Sequence, residues 1–157
     1  MFDELRELYQ EVILDHGKQP RNFRRPDNPS HEAAGRNPLC GDQLVIYLDV
    51  NGDGTIKDAA FVGKGCAISM ASASMMTEIV KGKTVDEAKK LFDDFHHMCT
   101  DDDATGFAGD EDEDIEKLQV LSGVRQFPVR VKCATLPWHA LSAAIDGVDE
   151  ISTEAGE

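Results

Sequence analysis

The sequence predicts an α+β fold, with helices set around a short β-hairpin. Two observations carry this. Residues 43–50 (QLVIYLDV) and 55–63 (TIKDAAFVG) are rich in β-formers and are joined by NGDG, the composition of a tight hairpin turn. On either side of the hairpin, apolar residues recur at helical spacing. At 157 residues the chain suits one domain with one core. The expected division is a single domain over 1–148 and an acidic, disordered tail over 149–157.

The elements follow in order. Leu5, Leu8, Tyr9, Val12 and Ile13 form one apolar stripe, so a first amphipathic helix is expected over about 3–16, stopping at Gly17. Residues 18–38 contain Pro20, Pro26, Pro29 and Pro38 and little apolar material, and read as a long surface segment. After the hairpin, small residues and methionines dominate from Ser69 to Val80, and Gly82 ends the run. This is the composition of a buried helix whose Ala and Ser permit close packing. Thr84 with Glu87 is a capping box opening a helix over about 85–98. The stretch DDDATGFAGDEDED (101–114) places like charges in series and buries almost nothing, so a mobile loop is expected. Ile115 to Leu121 reads as a short helix ending at Gly123. The last helix is expected to start near Thr135, with Pro137 tolerated in its first turn and Gly147 closing it. No repeat is visible.

Composition excludes several function classes. The chain carries 30 acidic residues against 16 basic ones, a net charge of −14. Phosphate backbones and anionic membrane surfaces need a cationic face, so nucleic acid and membrane are excluded as partners. No apolar stretch approaches the roughly 18 residues of a membrane span. The amino-terminal residues MFDELRELYQEVILDHG do not resemble a signal peptide. A cytoplasmic protein is the expectation.

The chemistry lies in the cysteines. Cys40, Cys66, Cys99 and Cys133 form no CxxC pair, so spacing alone gives no zinc-finger signal. In NPLCGDQL (37–44), Cys40 and Asp42 stand two apart with only Gly41 between them. Side chains two apart in an extended chain share a face, so a thiolate and a carboxylate can converge on a metal ion. Asn37, Pro38, Gly41 and Asp42 are equally the residues of a plain turn. Cys66 lies between the second strand and the next helix, and Cys133 just before the expected last helix. A helix N-terminus favours a thiolate. Cys40, Asp42, Cys66 and Cys133 would together suit tetrahedral Zn²⁺. Each cysteine also fits a small buried hydrophobe, and Cys99 fits that description, or simple exposure, better than the others.

NPLCGD, GKGCAISMASASMMTEIVKGK and FPVRVKCATLPWHAL, with LYQEVILDHGKQPRN near the start, resemble the SufU branch of the IscU/NifU N-terminal family of iron–sulfur cluster assembly proteins. The resemblance spans most of residues 5–145. It implies a compact α+β domain, with a small three-stranded antiparallel sheet packed against about five helices. It implies a metal site of Cys40, Asp42, Cys66 and Cys133, holding zinc or, alternatively, iron or a transient [2Fe–2S] cluster. IscU-type scaffolds carry a histidine directly before the last cysteine, where this chain has Lys132. In the SufU branch the implied partner is a SufS-type, PLP-dependent cysteine desulfurase of the SUF machinery. The implied activity is zinc-dependent and sulfurtransferase-like. Cys40, on a Pro- and Gly-flanked loop, is the expected sulfur acceptor, with Cys66 and Cys133 mainly holding metal. Arg130 would steady Asp42 or a persulfide by charge-assisted hydrogen bonds, or is a solvated surface cation. The unusually acidic loop and Cys99 depart from the family pattern.

Two further patterns are read as decoys. DVNGDGTI (49–56) places Asp49, Asn51, Asp53 and Gly54 in the phase of a calcium-binding loop, but Ala60 stands where a bidentate Glu is needed. His96 and His97 precede Cys99, yet adjacent helical histidines diverge, so at most one could pair with it.

Overall fold

The computed structural model describes residues 11–38, 41–100, 118, 121, 128–148 and 150–152. The expected loop over 101–114 lies outside them, as does most of the helix expected over 115–121. Within that helix, only Leu118 and Leu121 are described, both fully buried. The first helix (α1) is described over 11–18, so it runs through Gly17 rather than stopping there.

The hairpin forms as expected. Strands β2 (Asp42–Val50) and β3 (Ile56–Lys64) pair antiparallel, and the turn closes with Gly54 N–H donating to the Asn51 carbonyl at 2.9 Å. The sheet is larger than three antiparallel strands. Its order is β3-β2-β1-β4, with β1 at His31–Asn37 antiparallel to β2 and β4 at Glu150–Ser152 parallel to β1. Four helices, rather than five, are described: α1, α2 (Ala67–Val80), α3 (Val85–Thr100) and α4 (Pro128–Asp146).

Two strands, β1 and β4, flank the hairpin where no strand composition marks them. β1 is HEAAGRN, with no Val, Ile, Thr, Phe, Tyr or Trp, inside the segment expected to be surface. Its core-facing residues are small because α4 lies against them. A Cβ on Gly35 would stand 3.2 Å from both Ala140 Cβ and Leu136 Cδ1. β4 falls in the tail expected to be disordered. There, α4 ends in a Schellman arrangement: Gly147 (φ +79°) donates to the Ala144 carbonyl, and Val148 to the Ala143 carbonyl. This reversal returns the chain alongside β1, where Ile151 packs on the core and Glu150 pairs with Arg36 at 3.0 Å. The remainder of the segment before β1 is also tied down. Arg21 N–H donates to Ser74 Oγ at 2.8 Å, and residues 22–24 bond the edge of β3 at Phe61.

α2 is buried on nearly every face, as its Ala, Ser and Met content requires, and packs against α4 and β3. Thr84 and Glu87 form the reciprocal capping box, at 3.0 and 3.1 Å. The start of α4 differs from expectation. Pro128 takes the first helical position and Pro137 lies mid-helix. The rule that admits proline to a first turn holds, but for the other proline. No helix among the described residues is long and apolar enough to cross a membrane.

Candidate metal centre

Where the sheet ends, three elements meet. Asn37 and Asp42 are the last register pair of β1 and β2, and the four residues between them form the connection that holds Cys40. Cys40 itself lies outside the described residues. Gly41 closes the connection at φ +73°, a left-handed conformation that favours glycine. β2 therefore opens with Asp42 on the same face as Leu44 and Ile46, and its carboxylate is buried against the helices.

Cys66 is the N-cap of α2. Its extended backbone (φ −72°, ψ 167°) lets Sγ accept from Ser69 N–H at 3.5 Å, the arrangement a capping serine would make. Its own N–H donates to Asp42 Oδ1 at 2.9 Å. Cys133 is fully buried on α4. It does not precede that helix, as expected, but stands inside it, so the helix-terminus reason for a thiolate applies to Cys66 and not to Cys133. The ligand atoms of Asp42, Cys66 and Cys133 all lie within 4.8 Å of one another.

The electrostatics favour a thiolate at Cys66, whose pKa falls from 9.0 to about 6. The hydrogen bond from Cys133 is the largest cause. Burial opposes it, the Ser69 N–H and hydroxyl add to it, and the Asp42 carboxylate opposes it. Two sulfurs and an oxygen this close, one of them already prone to ionise, form a donor set suited to tetrahedral zinc. Three ligands leave one coordination position.

Sequence reasoning missed part of the site. Asn37, read as a turn former, is fully buried, with Nδ2 3.4 Å from Asp42 Oδ2 and 3.5 Å from Cys133 Sγ. Its only sequence signal is its place at the head of NPLCGD. Ser69 donates from Oγ to the Cys66 carbonyl at 3.1 Å. Gly65 leaves room for both neighbours, since a Cβ there would stand 2.5 Å from Asp42 Oδ1 and from Ser69 Oγ. Arg130 is exposed on the first turn of α4, and Lys132 is half-buried beside Cys133.

Cys99 is fully buried in the core on α3. The ring of His96 meets those of Phe92 and His139 edge-on. Among the described residues, Asp42, Cys66 and Cys133 are the one group of three ligating side chains close enough to share a metal ion. The calcium-like stretch is an ordinary turn: Asp53 Oδ1 accepts from Thr55 N–H at 3.0 Å, and Asp49 pairs with Lys57 at 3.2 Å.

Residues 8–99 match the model of the NifU-like N terminal domain, more than half of the chain. This chain belongs to the NifU-like N-terminal domain family. It is 42% identical over 138 residues to the zinc-dependent sulfurtransferase SufU of Bacillus subtilis, covering 88% of this chain and 89% of that one. It is 39% identical over 142 residues to the iron–sulfur cluster assembly scaffold protein IscU of Streptococcus pyogenes, covering 90% of this chain and 85% of that one. In three dimensions it resembles the N-terminal NifU-like protein of Brucella abortus, with a TM-score of 0.77 at 26% identity, over 89% of this chain and 93% of that one.

Proposed function

We propose that this chain is an iron–sulfur cluster assembly protein of the SUF system, a zinc-bound sulfur acceptor that takes persulfide sulfur from a PLP-dependent cysteine desulfurase in the cytoplasm. The observation that carries the proposal is the convergence of Asp42, Cys66 and Cys133 within 4.8 Å, in a chain 42% identical to a zinc-dependent sulfurtransferase. Asp42, Cys66 and Cys133 hold the metal, with Cys40 as the fourth ligand. Bound zinc keeps ligating thiols deprotonated at neutral pH.

Cys40 is the acceptor. Its thiolate attacks the outer sulfur of the desulfurase persulfide, whose S–S bond breaks. The desulfurase cysteine leaves as a thiolate and Cys40 becomes a persulfide, with no net change in oxidation level. Asp42, a harder ligand than sulfur, helps the site exchange ligands while Cys66 and Cys133 stay in place. Arg130, exposed on α4, would steady Asp42 or the incoming persulfide by charge-assisted hydrogen bonding.

The second reading is a scaffold for a transient [2Fe–2S] cluster on the same ligands. The 39% identity to a scaffold protein favours it, and Lys132 in place of a histidine favours the sulfur acceptor. Metal analysis and the visible spectrum of freshly purified protein separate the two: colourless protein with about one zinc per chain supports the acceptor, and brown protein with iron and labile sulfide supports the scaffold. Incubation with a cysteine desulfurase and cysteine, followed by peptide mass spectrometry, should place a persulfide on Cys40. Cys40→Ser should abolish stimulation of the desulfurase, and Cys99→Ser should not. Sulfur on Cys66 or Cys133, with Cys40→Ser fully active, would move the acceptor role.

A further inference from the structure

We propose that Asn37 is a positioning residue of the metal centre, its side-chain amide tying Asp42 to Cys133. The proposal deepens the metal-site reading above and rests on it. Asn37 is fully buried at the last pair of β1 and β2, and its Nδ2 lies 3.4 Å from Asp42 Oδ2 and 3.5 Å from Cys133 Sγ. A carboxylate only accepts hydrogen bonds, and so does the Cys133 sulfur when it ligates a metal ion, so the amide presents its NH₂ rather than its oxygen to them. That group has two hydrogens, one for each acceptor.

The consequence is a division of labour among the ligands. Asp42 is held at both oxygens, Oδ1 by the Cys66 N–H at 2.9 Å and Oδ2 by Asn37. Cys133 is held by Asn37 within the body of α4. The tie thus joins a ligand from the sheet to a ligand from the last helix. Residues that orient metal ligands from behind typically change metal affinity by about ten- to a hundred-fold when replaced. Donation to sulfur also lowers its electron density, which keeps Cys133 a holding ligand rather than a nucleophile. A turn-forming asparagine would need neither burial nor these two acceptors.

The test uses Asn37→Leu, which keeps the number and branching of the side-chain heavy atoms and removes both donors. Zinc affinity is measured by chelator competition, and the cobalt(II)-substituted protein gives a ligand-field spectrum. Expected is a zinc affinity weaker by about ten- to a hundred-fold, with an altered cobalt spectrum and a metal-free protein that still melts cooperatively. Equal affinity in a wild type that binds one zinc overturns the positioning role and leaves the metal centre standing. A wild type with no saturable zinc site overturns both.

If Asn37→Leu fails to fold, NMR of the wild type decides. The Asn37 side-chain NH₂ protons should exchange slowly with solvent, and in the ¹¹³Cd-loaded protein one of them should couple to the metal through Cys133 Sγ. Rapid exchange without coupling overturns the proposal.

Discussion

Asp42, the first residue of β2, accepts a hydrogen bond at 2.9 Å from the backbone N–H of Cys66, the residue that caps α2. One prospective ligand thereby fixes the backbone of another. The bond also satisfies an amide near a helix start, where donors lack intrahelical partners.

Replacing Asp42 by alanine orphans that donor, at a cost of about 1–3 kcal/mol. A domain typically has about 5–15 kcal/mol of stability. Asp42→Ala should therefore stay folded while losing zinc affinity. Asp42→Asn should recover most of the stability, because an acceptor oxygen remains, but not the affinity, because the charge is gone. Denaturant melts of metal-free protein and chelator competition read the two effects separately. An unfolded Asp42→Ala chain would mean that the site is structural.

Cys66 should titrate early. Its folded pKa of about 6 lies below the ordinary thiol value of 9.0, so the folded chain releases a proton that the unfolded chain keeps. The metal-free protein should gain stability as pH rises from about 6 towards 9.0 and lose that gain as pH falls through about 6. Alkylation of Cys66 by iodoacetamide should show a midpoint near the lower value. Cys133→Ala removes the largest cause of the shift and should move the midpoint up. Identical midpoints in the two proteins would refute this origin.

Gly65→Ala should damage the site more than the fold. The added methyl would meet Asp42 Oδ1 and Ser69 Oγ at 2.5 Å, and both side chains are already committed to Cys66. Expected is a loss of zinc affinity larger than the change in the melt of metal-free protein would suggest. Unchanged affinity, measured by chelator competition, would show that the cluster yields freely.

Gly35→Val should act on the fold instead. Its Cβ would meet Ala140 and Leu136 at 3.2 Å, and its branches would reach further into α4. Overpacking of this kind costs about 1–3 kcal/mol, read as a lower denaturant midpoint with an unchanged slope. No shift would mean that α4 can move off the sheet.

By itself the sequence determined the elements whose signals are local. The NGDG hairpin, the Ala/Ser/Met helix, the Thr84–Glu87 capping box and the Schellman-type stop at Gly147 each depend on residues close in the chain. It also marked Asp42 and Cys66, because ligating side chains beside glycines and element ends stand out; Cys133 stood out only through a helix start expected too late, since it lies inside α4. The tertiary structure decided what depends on distant neighbours. β1 has no strand composition of its own, and it is a strand because β2 supplies its hydrogen bonds and α4 demands Ala33 and Gly35 on its inner face. β4 needs β1 as a template, and three residues cannot announce a parallel pairing so far along the chain. Pro137 sits within α4 because packing on the sheet and on α2 outweighs one missing backbone donor. The burial of Asn37 was invisible for the same reason: an amide looks like a turn former until the fold places it between a carboxylate five residues on and a sulfur from the last helix.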